Sequence, residues 1–291
     1  MKAIQTNDLT KFYGETRGIE GLTLSVREGD FFGFIGPNGA GKSTLIRTLL
    51  GLIKPTSGAA ELFGRDVVSS KMENLADIGY LPSDVSFYSG MKVGEMLDLA
   101  AKIRGVDCRD ESLRLCERLD LDRERRIDEL SLGNKKKVGI VAALQHKPRL
   151  YILDEPTSGL DPLMQQEFFK ILKERNSEGA TVFLSSHVLS EIKKHCKSAG
   201  IIREGRLVLV DTVDNLGHTG VKKVTVKGDV TLPTLSGIGD VKSSDGQISF
   251  LYRGEIRELL SALSLLEISD ISISDPELDE IFMNYYVKEG V

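Results

Sequence analysis

Over the first 35 positions, apolar residues fall in short segments separated by turn residues. Ile4 to Tyr13 is followed by a turn at Gly14, and Leu22-Thr23-Leu24-Ser25-Val26 by a turn at Glu28-Gly29-Asp30. The run Phe31-Phe32-Gly33-Phe34-Ile35 then enters a glycine-rich stretch, and Leu45-Ile46-Arg47-Thr48-Leu49-Leu50 leaves it with the spacing of an amphipathic helix. This pattern predicts antiparallel strands feeding a strand-loop-helix unit. Lys54-Pro55-Thr56-Ser57-Gly58 reads as a loop, Ala59 to Phe63 as a short strand, and Ile78-Gly79-Tyr80-Leu81 as another, stopped by Pro82.

From Ser83 the period lengthens. Val93, Met96, Leu97, Ala100 and Ile103 recur at helical spacing, as do Leu113, Cys116 and Leu119, which predicts a mainly helical insert over about residues 84–134. Strands return at Leu150-Tyr151-Ile152-Leu153, Thr181 to Leu184, Gly200 to Arg203 and Leu207 to Val210. Helices are expected between them, one opening at Asp161-Pro162, where Asp suits the cap and Pro the first turn, and one from Val188 to His195. Strands alternating with helices predict an α/β fold whose parallel sheet is covered on both faces. Past Asp214 the style breaks again. Leu216-Gly217-His218-Thr219-Gly220 reads as a linker, and Pro233, Gly237, Gly239 and Gly246 punctuate short strands. Helices are expected from Glu255 to Leu263 and from Pro276 to Val287, the latter capped by Asp275 with Leu278, Ile281, Phe282 and Tyr285 on one face. The expected division is a large domain over 1–215 and a small α+β domain over 217–291.

Composition narrows the class of protein. Hydrophobic content of 41% with 28% charged residues is ordinary for a globular chain, and no apolar run approaches the roughly 18 residues that span a bilayer. The N-terminus lacks the apolar centre of a secretory signal, so a cytoplasmic protein is expected. Cys108, Cys116 and Cys196 follow no metal-ligand spacing and read as reduced thiols. A net charge of -5 argues against a nucleic-acid partner, and the one compact basic run, Lys135-Lys136-Lys137, reads as a solvated helix face.

The chemistry begins at Gly36-Pro37-Asn38-Gly39-Ala40-Gly41-Lys42-Ser43-Thr44. Its Gly-x-x-x-x-Gly-Lys-Ser spacing, between a strand and a helix, lets backbone N–H groups and a helix N-terminus converge on an anion. A plain glycine-rich turn would need neither the lysine nor the hydroxyl. Lys42 is expected at the β- and γ-phosphates of a nucleotide and Ser43 at Mg²⁺. A second site follows at Tyr151-Ile152-Leu153-Asp154-Glu155-Pro156, where a strand ends in two carboxylates, the position at which α/β sheets bind ligands. Asp154 is expected to support Mg²⁺ and Glu155 to polarise the water that attacks the γ-phosphate.

Over roughly residues 2 to 215 the chain resembles the ATP-binding subunit of an ABC transporter, a P-loop NTPase with an antiparallel β subdomain and a helical insert. Leu130-Ser131-Leu132-Gly133-Asn134 matches the family's signature LSGGQ, Ser158-Gly159-Leu160-Asp161 its D-loop, His187 its switch histidine and Tyr13 its adenine-stacking aromatic. The resemblance implies that Ser131 and Gly133 form a second anion site closing over ATP on an opposing subunit, with Asp161 of the D-loop also among the nucleotide-binding residues and His187 at the γ-phosphate. It further implies a homo- or heterodimer of ATPase subunits docked on a separate integral-membrane permease at the inner face of the membrane, with ATP and Mg²⁺ as cofactors. A P-loop kinase would leave the signature, D-loop and His187 without a role. Relatives acting on ribosomes or DNA usually carry two cassettes or a long coiled-coil insert, and neither is present. There are two departures. The glutamine expected after Tyr80-Leu81-Pro82 is replaced by Ser83 and Asp84, so either Asp84 or water stands in at the metal or the link to the membrane partner is weaker. Leu132 and Asn134 replace signature Gly and Gln. A stretch with apolar and aromatic groups, Val85, Phe87, Tyr88 and Met91, is the expected permease contact.

Overall fold

The computed structural model describes residues 1–217, 221–228, 232, 235–244, 246–264 and 266–274, and the chain forms two compact units, Met1–Asp211 and Thr212–Val291. In the first unit β1 (Lys2–Tyr13) and β2 (Thr16–Arg27) form a long antiparallel hairpin, and β3 (Phe31–Ile35) enters the glycine-rich loop that α1 (Lys42–Leu49) leaves. Then come β4 (Ser57–Leu62), β5 (Arg65–Asp66), α2 (Lys71–Ala76) and β6 (Ile78–Leu81). The insert contributes α3 (Val93–Arg104), α4 (Arg109–Arg118), a 3-10 turn (Ile127–Glu129) and α5 (Leu132–Leu144). The remaining elements are β7 (Leu150–Asp154), α6 (Pro162–Ser177), β8 (Thr181–Ser186), α7 (Leu189–His195), β9 (Ser198–Arg203) and β10 (Arg206–Thr212).

Two sheets result. One is antiparallel in the order β2-β1-β4-β5; the other has the order β10-β9-β3-β8-β7-β6, with β9, β3, β8, β7 and β6 mutually parallel. All five residues of β3 and of β7 are buried, as strands covered on both faces must be. The main core joins Ile4, Leu22 and Val26 of the hairpin to Leu45, Ile46 and Leu49 of α1 and to Phe32, Phe34 and Phe183, whose rings pack 5.9 and 5.4 Å apart. β3, β8 and β7 therefore end side by side, and the glycine-rich loop, Asp154, Glu155 and His187 lie at or just beyond those ends.

The helical insert corrects the sequence reading in detail. Val93, Leu97, Cys116 and Leu119 are buried, whereas Ile103 and Leu113 face solvent. The basic run is not a solvated face: Lys136 and Lys137 are 2% and 8% exposed. Asp161 caps α6 by accepting hydrogen bonds from Leu163 N and Met164 N at 3.1 and 3.0 Å. All three cysteines are free and buried.

In the second unit, a short helix α8 (Val213–Gly217) includes two of the residues expected as linker. An antiparallel sheet follows in the order β12-β13-β11-β14, from β11 (Val221–Lys227), β12 (Ile238–Ser244), β13 (Gln247–Arg253) and β14 (Asp270–Ser274). One face of it, with Val224, Val226, Phe250 and Tyr252, packs on Leu259 and Leu263 of α9 (Ile256–Leu263). Gly237 and Gly246 sit in turns with positive φ, but Gly239 lies inside β12. Strand β14 had no counterpart in the sequence reading, and Pro233 and the expected helix Pro276–Val287 lie outside the described residues.

Candidate functional site

The loop between β3 and α1 can turn as it does only because of its glycines. Gly41 is the residue before α1 with φ 105°, and a Cβ there would lie 2.5 Å from Gly18 O. At Gly36 a Cβ would lie 2.4 Å from Ile202 O. At Gly39, φ is 81° and no atom stands within 4 Å of where a Cβ would be, so that side of the loop opens to ligand. Lys42 is 6% exposed; its Nζ donates to Gly36 O at 2.7 Å and Pro37 O at 3.2 Å, folding the ammonium back over the loop it must serve.

Beside the loop, β7 and β8 bring in the acid pair. Ser43 Oγ donates to Asp154 Oδ2 at 2.9 Å, and Ser185 Oγ donates to Asp154 Oδ1. A hydroxyl and a carboxylate meeting at one point are the hard oxygen donors that Mg²⁺ takes. Glu155, with φ 49°, turns its side chain off the strand direction: Oε2 bonds His187 Nδ1 at 2.6 Å, and Oε1 lies 3.3 Å from Lys42 Nζ. That Oε1 is buried without a hydrogen-bond partner, as suits an acceptor whose natural partner is a water or ligand hydrogen. A cavity of about 390 Å³ is bounded by the loop from Pro37 to Thr44, by Tyr13, and by Ser83, Asp154 and Glu155. The donor set and the space fit a magnesium nucleotide.

Of the residues singled out from sequence, the structure brings together Tyr13, Asn38 to Thr44, Asp154 and Glu155 around the cavity, with His187 on Glu155; Gly36 does not line it but accepts from Lys42 Nζ. Tyr13 is 45% exposed, its ring available to a flat partner. Ser131, Gly133 and Asp161 do not line the cavity. Ser131 caps α5, accepting from Asn134 N at 3.3 Å, and at Gly133 a Cβ would lie 2.7 Å from Gly159 O, so the signature and D-loop of the same chain are in contact. Leu132 is 70% exposed. Ser83 reaches the cavity and Asp84 does not.

Three features were missed. Thr16 and Arg17 line the cavity, carrying no motif in the sequence. Ser185 orients Asp154 from the neighbouring strand. Lys136 donates to Pro82 O at 3.0 Å and Ser83 O at 2.8 Å; burial brings it down to about 8, against the opposing pull of Asp154, Asp84 and Glu155.

The sequence profile of the ABC transporter family matches residues 19–158. The bacitracin transport ATP-binding protein BcrA of Bacillus licheniformis is 43% identical over 73% of this chain and 71% of its own length. The linearmycin resistance ATP-binding protein LnrL of Bacillus subtilis is 28% identical over 97% of each chain. A solved structure of the ATP-binding subunit of an ABC transporter superposes with a TM-score of 0.69 at 32% identity, covering 74% of this chain and 91% of that one. The chain belongs to the ABC transporter family and is an ATP-binding, ATP-hydrolysing subunit that works with Mg²⁺.

Proposed function

We propose that this subunit drives a separate integral-membrane permease by closing, head to tail with a second ATPase subunit, over two nucleotides. The observation that carries the reading is the convergence of Lys42, Ser43, Asp154 and Glu155 on one cavity, with His187 behind Glu155. In this reading the loop amides and Lys42 bind the phosphates, and Tyr13 stacks on the base. Ser43 and Asp154 hold Mg²⁺, which when bound neutralises charge on the phosphate oxygens. Glu155 accepts a hydrogen bond from the attacking water, orienting its oxygen toward the γ-phosphorus as the bond to the β–γ bridging oxygen breaks. His187 fixes the Glu155 carboxylate and faces the terminal phosphate. Ser131 and Gly133, at the exposed start of α5, supply N–H and hydroxyl donors to the nucleotide of the opposing subunit, and Asp161 lies along the seam.

Among the described residues no helix is long and apolar enough to cross a membrane, which supports a pore made by another chain. The subunit then acts at the cytoplasmic face. Tyr88 is 72% exposed in the segment after β6, while Val85 packs on α5 at Gly139, so the permease contact narrows to Tyr88 with the half-buried Phe87 and Met91. The names of the relatives, bacitracin transport and linearmycin resistance, support transport of a compound of the bacitracin or linearmycin kind. Co-purification in mild detergent tests this. A multi-spanning chain is expected to accompany the protein and to be lost on Tyr88→Glu with ATP binding unchanged; recovery only with ribosomes or DNA contradicts the proposal.

A further inference from the structure

We infer that Lys136 is a positioning residue for ATP hydrolysis, its buried ammonium tying the wall of the nucleotide cavity at Ser83 to the helix that starts at the signature serine. The inference rests on the site roles proposed above. Strand β6 pairs with β7 through Leu81 and Leu153 and ends beside Asp154. Pro82 offers no N–H, and the next two carbonyls leave the ladder at the edge of the cavity, where they need donors. Lys136 Nζ supplies both, at 3.0 and 2.8 Å.

The same helix face contacts the segment again three residues on. A Cβ at Gly139 would lie 2.8 Å from Val85 Cγ1 and 3.0 Å from Leu81 Cδ1, so only glycine lets residues 81–85 lie directly on α5. Burying an ammonium is unfavourable unless its charge is balanced and its donors used, and an apolar side chain would fill this space at less cost if packing were the only need. Here the balance comes from Asp154 and Glu155, which line the cavity, and from Asp84, which does not. Lys136 thus makes the signature helix and the cavity wall one mechanical piece: a displacement of α5 at Ser131 moves Ser83 against the acid pair.

Lys136→Met keeps the length and removes the charge and donors. Expected are a kcat at least tenfold lower, an ATP Kd within about threefold, an unchanged melting transition, and amide exchange over residues 83–86 at least tenfold faster in nucleotide-free protein. Lys136→Arg should return kcat to within about threefold of the parent. A kcat within twofold of the parent in Lys136→Met, or unchanged exchange over 83–86, overturns the inference. If Lys136→Met does not fold, Lys136→Gln carries the same comparison, with a shorter, neutral amide NH₂ in place of the ammonium. The exchange measurement needs no turnover, so it separates this inference from the role given to Glu155, which is read by Glu155→Gln alone.

Discussion

Glu155 sits at φ 49°, a conformation costing a residue with a Cβ about 1–2 kcal/mol, and it is held there by a backbone bond from its N–H to Ser185 O at 3.1 Å. The strain aims one carboxylate oxygen at His187 and leaves the other buried beside Lys42 without a hydrogen bond. Replacing it by Gln preserves shape and removes the charge that orients water. Glu155→Gln should therefore lower kcat by about 10²- to 10³-fold while ATP affinity stays within about threefold. Steady-state turnover and equilibrium dialysis measure the two quantities, and near-normal turnover would remove Glu155 from its role. The same variant should elute as an ATP-dependent dimer on gel filtration. Both halves of this site were legible because each is written contiguously: Gly36 to Thr44 along one loop, Asp154-Glu155 at one strand end. Lys136 and Ser185 were not, because their partners lie 53 and 31 residues away and only the folded sheet brings them together. The run Lys135-Lys136-Lys137 was misread because three lysines in a row look solvated until the carbonyls that accept from the middle one are known.

At the scale of elements, strand periodicity was read well where strands are long or fully apolar, as in β1, β3, β7 and β8. In β14, Asp270-Ile271-Ser272-Ile273-Ser274 alternates at strand period but with only two apolar residues, against the nearly unbroken apolar runs of β3 and β7. The amphipathic stripes of α3 and α4 were read one residue too wide, since Ile103 and Leu113 continue the spacing but face solvent. The turn that ends α5 holds a titratable group with a consequence for stability. His146 Nε2–H donates to Ile78 O of β6 at 3.1 Å, while Nδ1 is buried without a partner. Burial, and then the nearby Arg104, push this imidazole down to about 4 from 6.5. Below pH 6.5 the unfolded chain binds a proton that the folded chain refuses, so stability falls as pH drops from 6.5 to about 4 and then levels off. The loss is at most about 3 kcal/mol. His195 is pushed to about 4 mainly by burial and adds a slope of the same sign. His146→Gln keeps an N–H donor and cannot charge. Urea midpoints of variant and parent should run parallel above pH 7 and shift in the variant's favour between pH 6.5 and 4. Curves that stay parallel down to pH 4 would show that His146 titrates normally.

For the molecule as a whole, the question is what the unit Thr212–Val291 contributes. Each unit has its own core: Phe32, Phe34, Phe183 and α1 in the first, and Val224, Val226, Phe250 and Tyr252 under α9 in the second. Every residue around the nucleotide cavity, from Tyr13 to Glu155, belongs to the first unit, as do Lys136, Ser185 and His187. The structural relative with a TM-score of 0.69 covers 74% of this chain, a share close to that of the first unit, whereas the match to LnrL extends over 97% of it. A chain ending near Asp211 should thus keep its sheet and its phosphate loop. We expect it to bind Mg-ATP within a few-fold of the full-length affinity, with any loss falling on assembly or regulation of turnover. Equilibrium dialysis with labelled ATP on the truncated protein, checked for folding by circular dichroism, measures this. Abolished binding by a folded truncated chain would mean that the second unit completes the site, and the proposed boundary after residue 215 would have to move.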